Sequence, residues 1–135
     1  MPQKRKITCD DLYKFQFVSD AQISPNGEAI LFTLTRFHPD RKKNTSQSHI
    51  WQVGASGGAP QQFTNSDESE SGPRWSPDGN RILFLSARNA EEAQKGKAQL
   101  WVIPATGGEA LKITGEKRGV SGPKWSPDGK SILFL

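Results

Sequence analysis

The sequence predicts an all-β chain made of one antiparallel sheet unit used repeatedly. Three observations carry this. A tight-turn motif recurs as Ser24-Pro25-Asn26-Gly27, Ser76-Pro77-Asp78-Gly79 and Ser126-Pro127-Asp128-Gly129, the copies beginning 52 and then 50 residues apart. Each copy is followed by Ile-Leu-Phe, at Ile30, Ile82 and Ile132. A second glycine turn, Gly57-Gly58 and Gly107-Gly108, keeps the same period. A fixed period of this size marks a stacked or circular array of one supersecondary unit. With four short strands per unit, the array is a β-propeller, here about two and a half blades long with a short N-terminal helix.

Each element follows from local chemistry. Proline sets φ at the second position of the turn, Asp or Asn suits the third, and Gly supplies the left-handed residue that closes a three-residue hairpin link. Arg74-Trp75 and Lys124-Trp125 precede the turn as short strands, and Ile82-Leu83-Phe84-Leu85 and Ile132-Leu133-Phe134-Leu135 follow it. A strand apolar on both faces must lie between two layers. At the N-terminus, Thr8 and Asp11 have capping-box-like spacing and Ile7 and Leu12 the spacing of a hydrophobic staple. A helix over 9–16 is expected, docked by Leu12, Phe15 and Phe17.

The expected organisation is an extension over 1–19, blade one over 20–70, blade two over 71–120, and the first half of blade three over 121–135. Blade-one strands are expected near 20–24, 29–36, 49–53 and 60–64, and blade-two strands near 72–76, 80–87, 98–103 and 109–114. In the last of these, Leu111 and Ile113 should face one way and Lys112 and Thr114 the other. The sequence stops at Leu135, which corresponds to Leu85 inside a strand. A truncated propeller is therefore expected to expose sheet edge and apolar face, and either to self-associate as a homo-oligomer or to stay partly molten.

The 135 residues carry a net charge of +4 from 18 basic and 14 acidic side chains. The basic clusters Lys4-Arg5-Lys6, Arg41-Lys42-Lys43 and Lys117-Arg118 fall at a terminus and in loops, without the interleaved aromatics of a nucleic-acid surface, so no nucleic-acid partner is expected. The single Cys9 excludes an internal disulfide framework and a cysteine-rich metal site. No apolar run of 18 residues occurs and no signal-like leader follows Met1, so no membrane partner and a cytoplasmic location are expected.

Several residue groups invite a catalytic or metal assignment. His38, Asp40 and His49 lack ligand spacing and are expected to be loop residues. Asp67, Glu68 and Glu70, with Glu91-Glu92, are expected to be solvated loop acids without a role. Gly54-Ala55-Ser56-Gly57-Gly58 spells the Gly-x-Ser-x-Gly nucleophile elbow, which requires a strand before the serine and a helix after it. Here a short strand follows, no His lies beyond Ser56, and the sister turn Pro104-Ala105-Thr106-Gly107-Gly108 keeps the glycines without the serine. Ser56 is a turn residue; no catalytic, metal or cofactor-binding residue is assigned.

Together, Trp-Ser-Pro-Asp-Gly-x-x-Ile-Leu-Phe, Leu100-Trp101-Val102-Ile103 and the Gly-Gly turn before Leu111-Lys112-Ile113-Thr114 resemble the TolB-like, WD-like propeller repeat. The leader Ile7-Thr8-Cys9-Asp10-Asp11-Leu12 with Val18 to Pro25 resembles the start of the acylaminoacyl-peptidase-like branch of the prolyl oligopeptidase family. The first blade departs at Ile23, where the other copies have Trp75 and Trp125. The resemblance implies an N-terminal propeller that restricts access of short peptides to a C-terminal α/β-hydrolase domain, whose Ser, Asp and His lie outside residues 1–135. In this reading Gln22, Arg74 and Lys124, on the innermost strands, are candidates to face the channel. The alternative is a TolB-like propeller that binds a protein partner without catalysis.

Overall fold

A computed structural model of the chain describes residues 3–38, 40, 42, 45–89 and 95–135. It opens with a single helix of the 3-10 type, Cys9–Lys14. Six residues are too few for α-helix propagation, and i to i+3 bonding closes so short a turn. The Asp11 carboxylate reaches back to accept the Thr8 backbone N–H at 2.8 Å and is held by Arg5 at 2.5 Å and Lys14 at 3.3 Å. Phe15 is already extended at φ −72° and ψ 142°, so the helix stops short of the expected residue 16. The expected staple does not form: Ile7 is 82% exposed. Leu12 and Phe15 stay largely exposed; of the expected docking residues Phe17 makes an edge contact with Phe37 at 6.1 Å, beside that of Tyr13 with Phe37 at 6.2 Å.

Among the described residues, ten strands follow in three antiparallel sheets. The first has the order β1 (Gln16–Ile23), β2 (Ala29–Phe37), β3 (Ser46–Gly54) and β4 (Gln61–Gln62). The second repeats that order with β5 (Glu70–Trp75), β6 (Arg81–Ser86), β7 (Gln99–Pro104) and β8 (Leu111–Lys112). The third holds β9 (Lys124–Trp125) and β10 (Ile132–Leu133). Strand β1 begins earlier than the expected residue 20, at Gln16, because its pairing with β2 extends to Arg36. The outer strands β4 and β8 shrink to two residues each.

Each sheet turns from its first to its second strand through a serine-proline turn, with Gly27, Gly79 and Gly129 at φ +74°, +74° and +68°. The serine acts as an internal hub. Ser76 Oγ donates to Asp78 Oδ1 at 2.5 Å and accepts the Arg81 N–H at 2.9 Å, and Ser126 repeats both bonds with Asp128 and Ser131. These bonds satisfy backbone donors that the turn would otherwise leave unpaired.

The sheets stack through two apolar layers. Leu31 and Ile50 of the first sheet meet Ile82, Phe84, Trp101 and Ile103 of the second. On the other face of the second sheet, Leu83, Leu100 and Val120 meet Trp125 and Ile132. Strand β6 is thus buried on both sides, as its uninterrupted apolar run requires. Burial of a side chain such as Phe84 contributes about 1.5–3 kcal/mol. Leu111 and Ile113 depart from the expected half-buried pattern, at 65% and 49% exposure, while Lys112 and Thr114 are the half-buried pair. Among the described residues, no helix is long and apolar enough to cross a membrane.

Candidate functional site on the innermost strands

Gln22, Arg74 and Lys124 occupy one register position in successive sheets, paired with Leu31, Leu83 and Leu133. Residues paired across strands share a face, so the three stand at equivalent places on the innermost strands of their sheets. Gln22 and Arg74 are half-buried and Lys124 is exposed. The backbones of Gln22 and Arg74 are tied to the following sheet by tryptophan. Trp75 Nε1 donates to Gln22 O at 3.2 Å, and Trp125 Nε1 donates to Arg74 O at 3.1 Å. Ile23, in the tryptophan position of β1, is 62% exposed, and among the described residues no sheet precedes it.

Asp20 brings two of the three together. Its Oδ2 accepts Arg74 Nη1 at 2.8 Å across the junction, and its Oδ1 accepts Gln22 Nε2 at 3.1 Å. Asp20 sits at φ +51° in the bulge of β1, where the other sheets have Gly72 at +64° and Gly122 at +58°. Asp tolerates this left-handed conformation better than most residues. Both partners are about a third exposed, so the bridge contributes about 0–1 kcal/mol. Among the described residues Lys124 forms no ion pair, since Gly72 offers no carboxylate to it. Residue reasoning did not single out Asp20, although the aligned column Asp20, Gly72, Gly122 carries the signal.

Two expectations are corrected at the same junction. Glu70 is fully buried, whereas a solvated loop acid was expected. Its Oε2 lies 2.7 Å from His49 Nδ1, and its Oε1 accepts the Arg88 guanidinium. His49 is a strand residue of β3 with 16% of its side chain exposed, and so is not a loop histidine. Arg88 in turn stacks over Phe84 at 5.0 Å and Trp101 at 5.3 Å. A buried carboxylate needs such pairing, because desolvation of the isolated charge costs several kcal/mol. The missed signal is periodic: Glu70 falls in the column of Val18, an apolar position in the first sheet.

The other described candidates sit in loops and turns. His38 Nδ1 accepts the Asp40 N–H at 3.0 Å. Ser56 lies in the turn between β3 and β4, where Gly57 N donates to Gly54 O at 3.0 Å, and the sister turn repeats this bond at 2.9 Å. No helix follows, so the turn is no elbow. Glu91-Glu92 lies outside the described residues. Among the described residues, no group of three or more His, Cys, Asp or Glu is placed to hold a metal.

Two consecutive four-stranded antiparallel sheets and a two-stranded third, stacked face to face with Trp75 and Trp125 each tied to the innermost strand of the sheet before, define the blades of a β-propeller. The chain belongs to the TolB beta propeller domain family, whose model matches residues 10–135. It is similar to the uncharacterized peptidase YuxL of Bacillus subtilis, 36% identical over 91 residues, which is 67% of this chain and 14% of that protein. The β-propeller domain of the trilobed protease of Pyrococcus furiosus superposes with a TM-score of 0.67 at 26% identity, over 90% of this chain and 34% of that one. The acylaminoacyl peptidase of Pyrococcus horikoshii shares the fold, with a TM-score of 0.68 at 23% identity, over 90% of this chain and 17% of that one. The chain spans less than a fifth of the length of the curated relatives it matches.

Proposed function

We propose that this chain is the N-terminal propeller of a serine peptidase of the prolyl oligopeptidase family, in its acylaminoacyl-peptidase-like branch. The observation that carries the reading is the 91-residue match to a peptidase of which it covers 14%. In this reading the propeller excludes folded proteins and admits short peptides to an α/β-hydrolase domain of the same protein. No residue of this chain is assigned to bond cleavage. Acyl transfer would be the work of a serine, histidine and aspartate in that second domain, with backbone donors holding the oxyanion.

Within the same reading, Gln22, Arg74 and Lys124 face the substrate channel. Arg74 is neutralised by Asp20, which leaves Lys124 as the cation available to a peptide carboxylate. A cytoplasmic setting goes with this assignment and agrees with the exposed free thiol of Cys9.

The test uses the whole protein encoded by the reading frame that contains these 135 residues. The expected result is labelling by a fluorophosphonate, hydrolysis of acylated di- and tripeptide amides, and no cleavage of folded proteins. Lys124→Ala should raise KM for peptides with a free carboxylate more than for their amides. A frame with neither a hydrolase domain nor fluorophosphonate labelling would overturn the reading. It would leave the alternative suggested by the family itself, a TolB-like propeller that binds a protein partner.

A further inference from the structure

One of the residues that differ between the two junctions lies just beyond the turn motif, at Ala29 and Arg81. In the second junction, Arg81 of β6 lies across the third sheet's first turn. Its Nη2 donates to Gly129 O at 3.1 Å, and its guanidinium rests 4.8 Å from the centre of the Trp125 ring. In the first junction the equivalent residue is Ala29. Trp75 and Gly79 stand there as Trp125 and Gly129 do in the second junction. The indole is fixed by the same bond to the preceding strand, at 3.2 Å against 3.1 Å, and the glycines have φ of +74° and +68°.

The notch that Ala29 leaves open is a groove of about 580 Å³ lined by Trp75, Gly79, Glu28 and Asp78 among others. Its lining carries those two carboxylates and no lysine or arginine. Asp78 is held ionised: the Ser76 hydroxyl, then the Asn80 backbone N–H, donate to its Oδ1 and keep its carboxyl below the usual range. Glu28 is exposed and accepts one bond, from Asn26 Nδ2 at 3.0 Å.

We propose that this notch binds the guanidinium of an arginine side chain presented by a polypeptide partner, in the arrangement that Arg81 adopts within the chain at the next junction. The planar group stacks on Trp75, one N–H donates to Gly79 O, and Glu28 and Asp78 supply the opposing charge. Arginine fits better than lysine because only a planar fork stacks and donates sideways at once.

The experiment titrates the protein with acetyl-Gly-Arg-Gly-amide and follows the indole N–H signals of Trp75 and Trp125 by NMR. The expected result is a saturable shift of Trp75 with no matching shift of Trp125. The citrulline tripeptide should give none, and the lysine tripeptide should bind at least threefold more weakly. Ala29→Arg, which fills the notch from within, should abolish the shift, and exposed Glu28→Gln should weaken binding about threefold. The proposal is overturned if Trp75 fails to saturate, if the citrulline peptide binds equally well, or if binding survives in a folded Ala29→Arg variant. Should Ala29→Arg not fold, unchanged affinity in Glu28→Gln overturns it instead.

Discussion

At the junction of the first and second sheets, Trp75 donates its indole N–H to the strand before it; at the next, Trp125 does the same. Around these shared bonds the side chains diverge. The first junction buries a carboxylate, Glu70, between His49 and Arg88, and adds the half-exposed pair Asp20 and Arg74. Among the described residues the second has no counterpart to either; Arg81 crosses it over Trp125, and Lys124 has no carboxylate opposite. The residues that repeat set the spacing of the sheets, and those that do not repeat give each junction its own polar contacts. Changes at non-repeating residues should therefore separate the junctions energetically, whereas changes in the motif should act on both.

The largest difference is expected at Glu70. Glu70→Val, which installs the residue of the first sheet's equivalent position, leaves Arg88 and His49 without their shared acceptor. Removing one partner from a buried pair costs about 3 kcal/mol or more. The measurement is the urea midpoint with its slope unchanged. A loss under 1 kcal/mol would mean that water already shares the carboxylate, and that the two junctions are held alike.

Next in size is a change inside the repeated turn. Ser76 is fully buried and Ser126 half-buried, although their bonds match. Ser76→Ala leaves the Arg81 N–H unpaired away from water and should cost about 2 kcal/mol, against about 0.5–1 for Ser126→Ala, where water can substitute. Equal losses would place the difference between the junctions in their apolar layers instead.

These cases also mark what the sequence makes legible. The serine, proline and glycine of the turn, and the apolar run after it, declare the sheets because each is a local requirement of φ, hydrogen bonding or two-sided burial. The pairing of His49 with Glu70 is not local. The two lie on different sheets, and their contact depends on how the 65–69 segment carries the chain from one blade to the next. The helix was legible as a capped turn, yet its docking partner Phe37 belongs to the far end of β2 and has no signature near residue 13. For the candidate site, the residue types were legible from the strand before each tryptophan. The role of Asp20 required seeing a carboxylate in a column that is otherwise glycine.

Acid separates the turns more gently. In the second and third turns, Asp78 and Asp128 are held below the usual carboxylate range, first by the Ser76 and Ser126 hydroxyls and then by backbone N–H groups. Depressed folded-state values stabilise above the unfolded carboxylate pKa of about 3.9, and that stability is lost as pH falls through them. The first turn makes the same bonds with Asn26, at 2.6 and 3.1 Å, and does not titrate. The double variant Asp78→Asn, Asp128→Asn should flatten the acid limb of a midpoint-against-pH curve below pH ~4, with little change at pH ~7. An unaltered acid limb would assign it to other carboxylates, Asp11 beside Arg5 foremost.

The smallest effect tests whether the second junction can be made to resemble the first. Gly72→Asp places a carboxylate in the Asp20 position opposite Lys124, on a backbone at φ +64° close to the +51° that Asp20 already adopts. The new Cβ would meet Leu85 Cδ1 at 3.4 Å, an ordinary contact. The left-handed conformation costs a residue with a side chain about 1 kcal/mol, less for Asp than for most. A half-exposed bridge returns about 0–1 kcal/mol. The net change should therefore fall within about 1 kcal/mol of zero, and only a double-mutant cycle with Lys124→Ala can resolve the bridge itself. A coupling of a few tenths of a kcal/mol that fades with added salt would match an exposed pair. A coupling above about 2 kcal/mol would mean that the strands β5 and β9 shield the pair from solvent, making the innermost edge a drier surface than the exposure of Lys124 implies.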